Sequence, residues 1–124
     1  MIIDSHAHIY SADEAAYPPV DEPLRPPDGT GSPEHLRREM DASGVDRAML
    51  IQTSSFYRWD NRYLRDTSAE ARGWAAGVCT LNPDDPHAPE ILHSLAQRSN
   101  VKGMRSVAAA DGRDDHPGVR GLWR

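Results

Sequence analysis

The stretch Met1-Ile2-Ile3-Asp4-Ser5-His6-Ala7-His8 opens the chain, and the rest of the sequence is read outward from it. An apolar run that turns polar within one residue reads as a buried inner strand whose C-terminal end leaves the core. Side chains alternate across a strand, so His6 and His8 project from one face, side by side. Parallel sheets keep their active sites at the C-terminal ends of their strands, which makes the two imidazoles candidate metal ligands. The plainer reading is a pair of hydrogen-bonded histidines at a strand end.

Three further β/α units follow. Residues 11–33 form a proline-rich loop with Pro18, Pro19, Pro23, Pro26 and Pro27, and a long excursion of this kind inside a compact domain is more often functional than ornamental. Ser32-Pro33-Glu34 starts a helix, with Ser32 as cap and Pro33 at the first helical position. Leu36, Met40 and Val45 mark its apolar face, and Gly44 stops it. Ala48-Met49-Leu50-Ile51 is a second buried strand ending at Gln52. Asp60 or a neighbour caps a second helix to about Ala71, with Tyr63, Leu64 and Thr67 on one face and Gly73 closing it. Trp74 to Leu81 reads as a third strand. Asn82-Pro83-Asp84-Asp85-Pro86 is turn chemistry before a third helix to about Arg98, and Val101 to Arg105 is a fourth strand. Pro117 then opens another helix through Val119, Leu122 and Trp123.

Strands alternating with helices predict right-handed crossovers and a parallel sheet. The fold class is therefore α/β, either an open doubly wound sheet or part of a (β/α)8 barrel. A closed barrel takes about 250 residues. At 124 residues the chain fits that option only as a truncated N-terminal half, and the helical pattern breaking off at Trp123-Arg124 agrees with this expectation.

Composition excludes several partner classes. With 38% hydrophobic and 27% charged residues the chain is a single domain with its own core, and its net charge of -5 with no basic stripe argues against nucleic acid. No apolar run approaches the roughly 20 residues that span a bilayer, and the start lacks a signal-peptide plan. The expected location is the cytoplasm. The lone Cys79 lies in an apolar run and reads as a buried, inert thiol.

Asp4-Ser5-His6-Ala7-His8-Ile9 resembles the first-strand Asp-x-His-x-His signature of the amidohydrolase superfamily. Pro33-Glu34-His35-Leu36 through Met40-Asp41-Ala42-Ser43-Gly44-Val45-Asp46-Arg47-Ala48 is similar to the first helix and second strand of its family 2 branch. Asp60-Asn61-Arg62-Tyr63-Leu64, Ala76-Gly77-Val78 before Asn82-Pro83, and Val101-Lys102-Gly103-Met104-Arg105 follow in the same order. The resemblance covers nearly the whole chain and points to the lactonase-like members.

It implies a (β/α)8 barrel, with His6 and His8 holding a divalent metal, usually zinc. Some lactonase-like members keep these histidines and work without a metal. A bound metal lowers the pKa of water and polarises the scissile carbonyl. The resemblance places the general-base Asp on the eighth strand and further histidines on the fifth and sixth, all beyond residue 124. The implied activity is opening of a small carboxylate-bearing lactone or related ester. The alternatives are non-oxidative decarboxylation on the same barrel and a catalytically inactive half-barrel that self-associates as a homo-oligomer.

In such a barrel Gln52 and Arg105 stand at strand ends facing the mouth and are the substrate-binding candidates, Arg105 for a carboxylate. Asp4 shares the histidine face one step deeper, where it orients a ligand or satisfies backbone amides. Tyr57, Trp59 and Asn61 either line the rim or staple the following helix. Lys102 reads as a solvated lysine, and His35, His87, His93 and His116 as surface residues on helices or loops.

Overall fold

The structure, a computed structural model, describes residues 1–107, so the helix expected from Pro117 lies outside the described residues. Seven elements alternate: β1 (Ile3–Ala7), α1 (Pro33–Ser43), β2 (Arg47–Ile51), α2 (Arg62–Glu70), β3 (Ala75–Thr80), α3 (Ala88–Arg98) and β4 (Val101–Arg105). Every pairing is parallel, and the strands lie in the order β1-β2-β3-β4. A doubly wound sheet reverses direction at a switch point. This sheet advances one way, as the wall of a barrel does.

Right-handed crossovers that all advance in one direction put their helices on the same face of the sheet. That face carries the core, where Ala48, Leu50, Cys79 and Val101 of the strands pack with Leu64 and Leu95 of the helices. Burial of Cys79 pushes its thiol up to about 11, so it stays protonated and unreactive near neutral pH. Gly77 allows α2 to approach β3 closely. A Cβ there would lie 3.2 Å from Ser68 Oγ and from Val101 Cγ2.

The first strand departs from the expectation of a buried inner strand. Ile2 and Ile3 are 57% and 50% exposed, because β1 is the edge of this sheet and pairs only with β2 among the described residues. The apolar residues that read as core lie where a further strand would be needed to cover them.

Local chemistry sets the helix ends. Ser32 Oγ accepts the His35 amide at 3.1 Å with Pro33 in the first turn, and Gly44 closes α1 in the left-handed region at φ 69°. At the start of α2 the N-cap residue is Asn61, whose side chain makes no cap bond, and Asp60 just before it accepts the Arg62 amide at 3.1 Å. The proline-rich loop after β1 holds no strand or helix, yet it is pinned. Val20 and Leu24 donate their amides to the carbonyls of Phe56 (2.8 Å) and Ser55 (3.1 Å), and Tyr17 donates its hydroxyl to Asp66 at 3.0 Å. Arg25 pairs with Glu14 and lies over the Phe56 ring.

Candidate metal half-site and mouth

A one-residue irregularity in β1 aims the histidines. Asp4 pairs with Ala48 and Ala7 with Leu50, so three steps along β1 match two along β2. The extra residue is a β-bulge, which reverses the side-chain alternation beyond it. Ala7 joins the core beneath the helices, and His6 and His8 leave from the opposite face at the C-terminal end of the strand. The same bulge corrects the expectation for Asp4. Ala48 and Leu50 share a face of β2, so Asp4 sits on the face of Ala7 and away from the histidines. Its carboxylate accepts the His6 amide at 2.9 Å, the backbone role of the two foreseen.

The His6 and His8 Nε2 atoms are 3.3 Å apart, and the rings meet edge to face with centroids at 4.9 Å. His8 Nδ1 lies 2.9 Å from the Ile51 carbonyl. A carbonyl only accepts, so Nδ1 carries the hydrogen and His8 Nε2 presents a lone pair towards His6.

This donor set fits a divalent cation. Two nitrogens bound to tetrahedral zinc at about 2.05 Å lie about 3.3 Å apart, which matches the observed spacing. The Ile51 carbonyl supplies the outer hydrogen bond that metal-bound histidines almost always make. No cluster of three or more metal-binding side chains occurs among the described residues, and a catalytic zinc site takes about three protein ligands.

The remaining candidates surround the strand ends. Gln52 is 2% exposed, and its Nε2 donates to the carbonyls of Arg58 (3.2 Å) and Asp60 (2.7 Å), bracing the turn that follows β2. Arg105 is exposed at the end of β4. A second register shift between Gly77 and Val78 pairs Gly103 with Val78 and Arg105 with Thr80. A Cβ on Gly103 would meet the Val78 side chain at 3.3 Å, so beyond this bulge Gly103 and Arg105 share the face opposite the helices. Lys102 is exposed at the bulge itself.

Tyr57 is buried rather than at the rim. Its hydroxyl accepts the Ser11 amide at 2.7 Å, and burial pushes its pKa up to about 12. Asn61 is buried too and clamps the end of β3, accepting from Thr80 N at 3.1 Å and donating to Thr80 O at 2.9 Å. Trp59 is half-buried, with the Arg58 guanidinium over its ring. One contributor escaped the sequence reading: the Ile51 carbonyl, a backbone atom, has no residue-type signal.

A family model for amidohydrolases, family 2, matches residues 3–124. The chain belongs to this family. Among solved structures, the amidohydrolase chain is similar to a probable 2-pyrone-4,6-dicarboxylic acid hydrolase from Acinetobacter baumannii, crystallised with citric acid. The TM-score is 0.75 at 16% identity, over 98% of this chain and 43% of that one. It is also similar to an apo protein from Agrobacterium tumefaciens, with a TM-score of 0.62 at 24% identity, over 84% of this chain and 36% of that one. No curated protein matches it. At these identities the likeness shows the fold, and the amidohydrolase wall of four parallel strands corresponds to part of a TIM barrel. The chain spans less than half the length of either structure. No helix among the described residues is long and apolar enough to cross a membrane.

Proposed function

We propose that this chain carries the metal-binding and carboxylate-binding part of a hydrolase that opens a small carboxylate-bearing lactone or related ester. The observation that carries the reading is the histidine pair, two Nε2 atoms at zinc-like spacing with the His8 tautomer set by Ile51 O. Family membership and the likeness to a structure named as a pyrone-dicarboxylic acid hydrolase support it.

In this mechanism His6 and His8 would hold a divalent cation of the kind imidazole nitrogens suit, zinc among them. When bound, the cation supplies water activation near neutral pH and polarisation of the ester carbonyl. His8 keeps its lone pair on Nε2 because Nδ1–H is committed to Ile51, and the bulge keeps both rings on the mouth face. Arg105 orients the substrate by pairing with its carboxylate, for which a planar guanidinium is suited. Gln52, foreseen as a substrate contact, is buried and acts instead through the turn after β2, which its amide holds in shape. The base that takes the proton of the attacking water comes from outside the described residues.

The test is proton release on lactone opening by the whole barrel, with and without added zinc. His6→Ala should lower kcat/KM at least a hundredfold. Arg105→Ala should lower it tenfold or more for a carboxylated lactone and little for an uncharged one. Equal rates with and without the His6 imidazole would overturn the reading, as would release of carbon dioxide without ring opening.

A further inference from the structure

Between the pairs Asp4–Ala48 and Ala7–Leu50, Ser5 and His6 together lie opposite Met49 alone. Two residues facing one disrupt the ladder and leave backbone groups without their regular partners. The His6 amide finds its acceptor within its own strand, in the Asp4 carboxylate 2.9 Å away and two residues back. A side-chain oxygen here does what a backbone carbonyl does elsewhere in the sheet, as in an Asx turn.

The register decides where the imidazoles go. Without the extra residue, Asp4, His6 and His8 would share the face of Ala48 and Leu50 and enter the core, and Ala7 would leave it. With the bulge, Ala7 and Ile9 are buried and the histidines stand on the opposite face. The two rings are not held alike. His8 is half-buried and tied to the Ile51 carbonyl. His6 is exposed, and among the described residues its ring bonds only with His8. The direction of the His6 side chain is therefore set by its backbone, which the bulge fixes.

We infer that Asp4 is a positioning residue for the histidine pair: by accepting the His6 amide it locks the bulge that keeps His6 Nε2 at cation-binding distance from His8 Nε2. This rests on the metal reading of the pair. Asp4 lies on the other face of the strand, so it acts through geometry, and an uncharged acceptor of the same reach serves as well.

The experiment is zinc calorimetry on the 124-residue chain and its Asp4→Asn, Asp4→Ala and Asp4→Glu variants, with nuclear Overhauser contacts between the His6 and His8 rings read on each without metal. Asp4→Asn keeps the acceptor and should bind zinc within about twofold of the unsubstituted chain, with the ring contact intact. Asp4→Ala should weaken zinc roughly fivefold or more, near the lower edge of what losing a partner of a metal ligand costs. It should also lose the ring contact, while the ring nitrogen shifts of His8 still report hydrogen on Nδ1. Asp4→Glu keeps the charge on an arm too long for the turn and should behave as Asp4→Ala does, so it carries the test if Asp4→Ala does not fold. Unchanged zinc affinity and ring contact in Asp4→Ala or Asp4→Glu would overturn the inference and leave the proposed function standing, as would Asp4→Asn weakening zinc as much as Asp4→Ala. If the unsubstituted chain binds no zinc while the ring contact still follows the Asp4 acceptor, the metal reading falls and the positioning role stands.

Discussion

Asn61 commits its amide to backbone on two elements, donating to Trp59 O and to Thr80 O at 2.9 Å and accepting from Thr80 N. Asn61→Ala leaves those buried groups without partners, at a cost of roughly 2–4 kcal/mol, and urea unfolding should show it as a lower midpoint. A change under 0.5 kcal/mol would contradict the clamp. Tyr57 makes a pH-dependent contribution. Its folded pKa of about 12 lies above the ordinary 10.0, so the protonated hydroxyl is favoured by folding. That stability is fully present below pH 10 and lost as the pH rises towards 12. Tyr57→Phe should therefore flatten the fall of melting temperature above pH 10 while costing about 1 kcal/mol at pH 7, where Ser11 N–H loses its acceptor. An unchanged alkaline slope would show that Tyr57 does not drive it.

The α1 termini show what sequence can specify at the scale of an element. Ser32→Ala should cost about 1 kcal/mol through loss of the cap to His35 N, and Gly44→Ala about 1 kcal/mol because the left-handed position disfavours a Cβ; thermal melts of both variants test the pair. Caps and apolar spacing are local chemistry, which is why the strands and helices were legible to within a residue or two, β4 with both ends in place. The two bulges were not. Each depends on how one strand registers against its neighbour, and neither Asp4-Ser5-His6 nor Val101-Lys102-Gly103 carries a turn signal. The side-by-side histidines were foreseeable because the two-residue spacing of His6 and His8 survives the register shift between Asp4 and Ala7, whereas Asp4, at its start, was assigned to the wrong face. Burial of Tyr57 depends on the loop after β1 folding back on residues 55–57, and that of Asn61 on its clamp to the end of β3, both long-range contacts without periodicity.

At the scale of the whole molecule, the described sheet has helices on one face and two open edges, with Ile2 and Ile3 exposed along one of them. Unpaired parallel edges recruit other strands, so the 124-residue chain should scatter light as an assembly larger than a monomer and turn over no lactone alone. A stable monomer with activity abolished by His6→Ala would place a complete site within these residues. The central claim is that His6 and His8 form half of a metal centre, and zinc calorimetry on the 124-residue chain tests it most directly. Two neutral nitrogens leave protein positions unfilled, so the account predicts binding of roughly 10 µM or weaker, lost in the His6→Ala, His8→Ala double variant. Titrations identical with and without the two imidazoles, or nanomolar stoichiometric binding that requires a third protein ligand, would contradict it.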